Sequence, residues 1–244
     1  MPVPGTSPVK RNTLRQQIAD ALCDEVLAGR LPAGRQFTVK EIAQQYGVSA
    51  TPVREALLDL CSQGLLDVEE HRGFKVHEFT IDDFRHMVDA RTMVVEGVFR
   101  HYVEQTLNTM TTQALASVRR RAEEAERAAR SGDLDILIGY DLRFWREICG
   151  LVGNPYVSDF LQRLRVQTWV FTVPYLRRVP DLRGLLWTGH CELTAAVTRG
   201  DPHDSERLIA AYNTHFRALI ERLVAGEETR SRNRTGTEPE VNSP

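Results

Sequence analysis

Residues 47–60 of the chain read G-V-S-A-T-P-V-R-E-A-L-L-D-L. Four apolar residues of this stretch recur at helical spacing and predict a helix with one buried face: Val53, Ala56, Leu57 and Leu60. Ser49 is expected to cap this helix, and Pro52 falls in its first turn, where a missing N–H costs little. Gly64 is expected to end it.

The sequence before this stretch predicts two further helices. The first has apolar residues at helical spacing, namely Leu14, Ile18, Leu22 and Val26. It is expected to end at the G-R-L-P-A-G stretch of residues 29–34. Thr38 and Glu41 form the T-x-x-E pattern of a capping box, which predicts the start of a second, short helix ending at Gly47.

The sequence after it predicts a β-hairpin. Residues 65–79 read L-L-D-V-E-E-H-R-G-F-K-V-H-E-F, with apolar residues alternating on both sides of H-R-G. Two strands with a tip near Gly73 are expected. Helix, short helix, tight turn, helix and hairpin is the layout of a winged helix-turn-helix. In that fold a helix enters the major groove of DNA while the hairpin tip contacts the backbone or the minor groove.

Basic residues fall where such a fold would contact DNA. They are Lys40, Arg54, Arg72 and Lys75, with Lys10, Arg11 and Arg15 forming an N-terminal arm. Each charge taken alone is more often a solvated surface residue than a DNA contact, but the set at these offsets favours DNA binding. The formal net charge is −2, and acidic residues of the same domain offset the basic ones. Nonspecific binding should therefore be modest and salt-dependent.

Composition limits the remaining possibilities. The 244 residues are 42% hydrophobic and 26% charged, as in proteins with a sizeable core. The four cysteines include no C-x-x-C pair, and no signal-peptide or membrane-spanning pattern is found. We expect a cytoplasmic, nucleoid-associated protein with no membrane contact. The sequence predicts a disordered arm at 1–9, a winged helix-turn-helix at 10–78, a helical domain at 79–225 and a disordered tail at 226–244.

Residues 79–225 predict an antiparallel all-α bundle of six or seven helices, so that the protein as a whole is mainly α-helical. Thr80 and Asp83 are expected to begin the first helix of the bundle. The later helices are expected at about 110–131, 134–150, 155–178, 182–199 and 202–224.

Four helices of this bundle each place one polar side chain in an apolar stripe: Arg91, Asp141, His190 and Tyr212. Burying such groups is costly unless they are paired or hold a ligand. Two interpretations remain open at this stage. The four side chains line a ligand pocket, or Arg91 pairs with Asp141 and His190 bonds to Tyr212 within the core.

The run P-A-G-R-Q-F-T-V-K-E-I-A-Q-Q-Y-G-V-S-A-T-P-V-R-E-A-L, followed by H-R-G-F-K-V, closely resembles the N-terminal domain of GntR-type transcriptional regulators. The resemblance and the position of the basic residues imply a DNA-contacting set of Lys40, Ser49, Thr51, Pro52, Arg54, His71, Arg72, Gly73 and Lys75. Many members carry an arginine where this chain has Ala50. Because a lost bidentate base contact costs about 1–3 kcal/mol, a changed operator preference or weaker binding is expected.

The second domain resembles the FCD ligand-binding domain of the FadR branch of these regulators. Many FCD domains bind a divalent metal through D-x-x-F-H and two later histidines. This chain reads D-L-R-F-W at 141–145, so that Asp141 is kept and Trp145 replaces a histidine. His190 matches the second histidine, and Tyr212 stands at the position of the third.

Two remaining ligands make a poor metal site. A metal-free pocket without a cofactor is therefore expected, lined by Arg91, Asp141, Trp145, Asn154, His190 and Tyr212. Asn154, in a G-N-P turn, has a role in turn chemistry as its alternative. The alternative for the site is a weak metal centre of Asp141, His190 and His215.

These features predict a homodimeric transcriptional regulator that binds a double-stranded palindromic operator. A small molecule in the bundle is expected to change operator affinity, and Arg91 favours a carboxylate or another anionic metabolite. Repression is the commoner outcome in the family. No G-x-S-x-G, H-E-x-x-H or P-loop pattern occurs, so an enzyme is not expected. The alternatives are a metal-dependent regulator, a small-molecule enzyme that uses Asp141 and His190, and a protein-binding scaffold.

Overall fold

The computed structural model describes residues 14–70, 72–107 and 112–235. Contacts divide the chain into two compact units, Met1–Glu78 and Phe79–Pro244. The predicted DNA contact His71, the basic residues Lys10 and Arg11, the arm at 1–9 and the last part of the tail lie outside the described residues.

The first unit contains three helices and three strands in its described part. They are α1 (Leu14–Leu27), β1 (Gln36–Phe37), α2 (Val39–Tyr46), α3 (Ala50–Ser62), β2 (Leu66–Glu69) and β3 (Gly73–Val76). The capping box is confirmed: the Glu41 N–H donates to Thr38 Oγ1, and the Thr38 N–H donates to Glu41 Oε2 at 2.6 Å. Ser49 occupies the N-cap position of α3 as predicted, but its side chain makes no capping hydrogen bond.

The wing is a three-stranded antiparallel sheet in the order β1-β3-β2. The sequence predicts only β2 and β3. The strand β1 joins them because the backbone of residues 34–35 runs beside the end of β3, where the Gly34 N–H donates to Val76 O and the Val76 N–H donates to Arg35 O. The buried face of α3 packs in the core beneath this sheet, with Val53, Ala56 and Leu57 fully buried. The predicted winged helix-turn-helix is confirmed.

The second unit is helical throughout its described elements. They are α4 (Ile81–Leu107), α5 (Thr112–Ser131), α6 (Leu134–Gly150), α7 (Pro155–Leu176), α8 (His190–Thr198) and α9 (Pro202–Thr235). The helices α5 and α6 pack together, α7 packs on α6 and α4, and α9 packs on α4 and α8. No described helix is long and apolar enough to cross a membrane.

Two predicted boundaries in this unit are wrong. Residues 182–189 are not helical: the Asp181 carboxylate accepts the Arg183 N–H at 3.0 Å, and Gly184 has a φ of +74°. Both features are typical of turns, so that α8 begins only at His190. The helix α9 extends to Thr235, into residues 226–235 that the sequence predicts to be a disordered tail.

Candidate functional site

An open groove of about 690 Å³ lies between α2, the start of α3 and the wing. Three of the predicted DNA contacts line it, namely Lys40, Arg54 and Gly73. Lys40 and Arg54 are both exposed. Ala50, at the position where the resemblance implies an arginine in many members, lines the same groove.

Ser49, Thr51, Pro52, Arg72 and Lys75, the other predicted contacts that the structure describes, are not among the residues that line the groove. Ser49 and Thr51 are exposed at the start of α3, while Pro52 is half-buried. The Ser49 hydroxyl makes no hydrogen bond to the first-turn N–H groups of α3. A helix N-terminus with free N–H groups favours an anion such as a DNA phosphate.

The two basic residues of the wing, Arg72 and Lys75, differ in their surroundings. Arg72 is exposed in the turn, whereas the Lys75 ammonium lies 3.5 Å from Glu69 Oε1. Gly73 has a φ of +99°, and a Cβ there would lie 2.5 Å from the Phe37 carbonyl oxygen. Gly73 is therefore required by the close approach of β1, in addition to any part it has in DNA contact.

A second site lies inside the helical unit and is centred on Asp141 of α6. Asp141 is 1% exposed. Oδ1 accepts the Trp145 indole N–H at 3.0 Å and lies 3.2 Å from His190 Nε2. Oδ2 accepts the Trp169 indole N–H at 2.9 Å. The helix α6 thus contributes the carboxylate and Trp145, α7 contributes Trp169, and α8 contributes His190.

Arg165 of α7 completes this cluster, and the sequence analysis missed it. Its Nη1 lies 3.8 Å from Asp141 Oδ2 and donates to the Tyr212 hydroxyl at 2.9 Å. Its guanidinium lies 4.1 Å from the centroid of the Trp145 ring. A signal was present, since Arg165 lies one helical turn from both Leu161 and Trp169 on α7.

The two core pairs considered from the sequence are therefore wrong. Asp141 pairs with Arg165 and His190, and Tyr212 bonds to Arg165. The predicted burial of the four polar side chains is nevertheless observed: Arg91, Asp141 and His190 are each 1% exposed, and Tyr212 is 4% exposed. Helical spacing in the sequence predicts that a residue faces the core, but it does not predict which residue of another helix it contacts.

Electrostatics keep Asp141 ionised. Burial alone raises the pKa of its carboxyl, but the hydrogen bond to His190 and the charge of Arg165 outweigh burial, and the pKa is lowered. Burial, followed by the charge of Asp141, raises the pKa of the Tyr212 hydroxyl, which stays protonated. Asp141 and Arg165 therefore form an ion pair, and the Asp141 carboxylate also accepts the indole N–H groups of Trp145 and Trp169.

Arg91 of α4 differs from Arg165. Its Nε and Nη2 atoms are buried without a hydrogen-bond partner among the described residues. Its guanidinium lies 5.4 Å from the centroid of the Tyr212 ring. Burial, and then the charge of Arg165, lowers the pKa of Arg91 to about 10. Arg91 therefore remains a cation at neutral pH although no carboxylate of the described chain bonds to it.

Arg91 lines a cavity of about 100 Å³ in this unit. Arg165 and Trp145 also line it, together with a largely apolar wall. Asp141, His190 and Tyr212 are not among the lining residues, so they support the cavity wall from behind. Asn154 caps α7 by accepting the Val157 N–H at 3.3 Å, which agrees with its alternative role in turn chemistry, and it is not among the residues that line this cavity.

The residues present do not fit a divalent metal. Both oxygens of Asp141 accept indole N–H groups, and His190 Nε2 is directed at the same carboxylate. His215 Nε2 lies 2.7 Å from the Leu185 carbonyl oxygen and is engaged there. Across the described residues, no three His, Cys, Asp or Glu side chains are grouped as metal ligands would be.

A basic winged-helix groove on one unit, with an all-helical second unit, defines the class of winged-helix DNA-binding regulators. Comparison with known proteins agrees with this class. Residues 14–76 match the family model described as bacterial regulatory proteins, gntR family, and residues 100–215 match the FCD domain model. The chain belongs to the GntR family of transcriptional regulators and carries an FCD domain.

Individual relatives cover most of the chain. A protein of Paenarthrobacter nicotinovorans named "Probable D-xylose utilization operon transcriptional repressor" is 30% identical over 206 residues, which are 83% of this chain and 88% of that protein. The Escherichia coli regulator McbR is 28% identical over 165 residues, 68% of this chain and 73% of its own. The solved structure of E. coli McbR/YncC has a TM-score of 0.69 at 25% identity and covers 86% of this chain and 98% of its own.

Proposed function

We propose that this GntR-family protein is a dimeric regulator of the FadR branch that binds a palindromic operator. A small anionic molecule bound in the cavity of the helical unit changes its operator affinity. The observation that carries this proposal is the buried Arg91 in the wall of that cavity, whose Nε and Nη2 atoms have no hydrogen-bond partner among the described residues. A buried cation with free donors is costly to keep unless a ligand pairs with it.

The DNA-binding part of the proposal rests on the groove. Lys40 and Arg54 supply exposed positive charge on its two helices. Arg54 lies near the start of α3, the part of a recognition helix that meets base edges. Thr51 and Arg72 add exposed polar and basic groups at the flanks. Two such units on a twofold axis would contact the two halves of an inverted repeat, which is the basis for proposing a dimer.

The regulatory part is a population shift. A ligand alters operator affinity only by its different affinity for the DNA-bound and the free arrangement of the protein. Repression relieved by the ligand is the direction we propose. Action on the operator would place the protein at the nucleoid in the cytoplasm.

An enzymatic role has little support from the geometry. Asp141 and His190 are the acid–base pair that such a role would use, and they bond to each other behind the cavity wall. The carboxylate is also occupied by two indole N–H groups. Neither residue is among those that line the cavity, so neither lies beside a molecule bound there.

Replacing Arg54 with alanine tests the operator-binding proposal. Selection of duplexes from a random pool by the full chain should enrich an inverted repeat, bound by two chains. We expect Arg54→Ala to weaken binding to that duplex by about 10- to 100-fold, the effect of a lost bidentate base contact. Fluorescence anisotropy with labelled duplex measures the change.

The matched control is Arg30→Ala. Arg30 is an exposed arginine of the same unit that bonds to Glu25 at 2.8 Å and does not line the groove. Its replacement should leave the dissociation constant within about twofold, since surface contacts of this kind contribute little. Equal affinities of the wild type and a folded Arg54→Ala variant would refute the assignment of the groove.

A further inference from the structure

We propose that the cavity in the helical unit binds a short-chain aliphatic monocarboxylate. Its carboxylate pairs with Arg91, and its hydrocarbon tail lies against the apolar wall. This inference rests on the proposed function, because it names the chemical class of the molecule that acts as effector.

The positive charge of Arg91 favours a negatively charged ligand. Its side chain is 1% exposed, and two of its nitrogens have no partner in the described part of the chain. The other cation of the wall, Arg165, is already paired with Asp141. Arg165 has Asp141 as its counter-charge and Arg91 bonds to no carboxylate of the described residues, so a single anion beside Arg91 would balance its charge. A planar carboxylate matches the geometry of a guanidinium better than a spherical ion does.

The other polar groups of the wall are committed elsewhere. Asp201, half-buried before α9, accepts the Asp204 N–H at 2.9 Å. Ser205 donates its hydroxyl to the Asp201 carbonyl oxygen at 2.7 Å. Both groups thus satisfy the first turn of α9. Within the described lining, Arg91 is the polar residue whose buried nitrogens lack a partner, so the ligand's charged end belongs there.

The rest of the wall selects an apolar tail of limited length. It includes Val95, Val98, Phe99, Leu161 and Ile209. The volume is about 100 Å³. Because a cavity of roughly 150 Å³ holds benzene, a tail of about three to five carbons fits. A second carboxylate would lie against these hydrocarbon side chains without a partner, which disfavours dicarboxylates.

Intrinsic fluorescence of the full chain is a direct readout of binding. Trp145 lines the cavity, Trp187 stacks on it with ring centroids 6.3 Å apart, and Trp169 bonds to Asp141. These are the three tryptophans of the sequence. A ligand in the cavity should therefore change the emission in a saturable way.

The probes are sodium butyrate, acetate, butyramide, succinate and inorganic phosphate. Butyrate should saturate the signal. Acetate should bind roughly 15-fold more weakly, since each buried methylene contributes about fourfold. Butyramide, which has the same shape without the charge, and succinate should bind at least about 100-fold more weakly. Butyramide or phosphate binding as tightly as butyrate would overturn the proposal.

Arg91→Met supplies the variant test. We expect it to weaken butyrate binding at least about 100-fold while its thermal midpoint stays equal to or above that of the wild type, because an unpaired buried charge is removed. The exposed Arg146 of α6, replaced by methionine, is the control and should bind butyrate normally. Undiminished binding by Arg91→Met would overturn the assignment of Arg91.

Arg91→Lys keeps the inference testable if the methionine variant does not fold. It retains the charge and should still prefer butyrate to butyramide, and loss of that preference would overturn the proposal. The fluorescence assay contains no DNA. A negative butyrate titration would therefore not contradict the assignment of the operator-binding groove. A failure of operator binding would likewise not contradict a positive butyrate titration, so the two proposals are tested independently.

Discussion

Asp141→Ala should lower the free energy of unfolding of the helical unit by about 3–5 kcal/mol. The physical reason is the number of groups that lose their acceptor. Two indole N–H donors, of Trp145 and Trp169, would be left buried and unpaired, and Arg165 would lose its counter-charge. Urea unfolding of the full chain, followed by circular dichroism, measures the change.

Asp159→Ala is the matched control for this variant. Asp159 is an exposed aspartate of α7, and its replacement should change the free energy of unfolding by less than about 0.5 kcal/mol. A loss of less than about 1 kcal/mol in Asp141→Ala would contradict the central structural role given to this carboxylate. Asp141→Asn, which keeps one acceptor oxygen but no charge, should fall between the two.

Arg165→Met should cost about 3 kcal/mol in the same assay. Arg165 supplies the ion pair to Asp141, the hydrogen bond to Tyr212 and a guanidinium stacked 4.1 Å above the Trp145 ring. Removing it leaves a buried carboxylate without its cation, which is strongly destabilising. Methionine has a similar length and keeps most of the packing, so the loss reports mainly on charge and hydrogen bonding.

Arg91→Met is the internal comparison for this prediction. Arg91 and Arg165 are both buried arginines of the same unit, yet only Arg165 is paired with a carboxylate. Replacement by the same residue should therefore destabilise the protein at 165 and not at 91. Equal losses at both positions would contradict the conclusion that Arg91 is held for a ligand and Arg165 for structure.

The contrast between these two arginines also marks the limit of the sequence analysis. Arg91 was recognised because the apolar stripe of its helix is regular, and the same rule could have found Arg165. The partner of Asp141 could not be predicted from the sequence, because Arg91 and Arg165 both lie at helical spacing within an apolar stripe. Only the distances from each guanidinium to Asp141, on a different helix, distinguish the two. Asn154 was equally ambiguous, since a residue that caps a helix and one that lines a pocket have the same local sequence.

The winged helix was predicted more completely because its signals are local. The Thr38–Glu41 capping box and the positive φ of Gly47 depend on neighbours within a few residues. The strand β1 and the need for glycine at position 73 depend on a contact between segments far apart in the chain. The segment 182–189 was misassigned as helix because its buried leucines mimic helical spacing while Asp181 and Gly184 set turns.

We propose that a ligand in the helical unit controls the affinity of the winged helix for DNA. The most direct test is the dissociation constant of the full chain for its selected duplex, measured with and without butyrate at a concentration that saturates the tryptophan signal. We predict a change of at least about fivefold for the wild type and none for Arg91→Met. The same dissociation constant for the wild type with the cavity filled and empty would contradict the account.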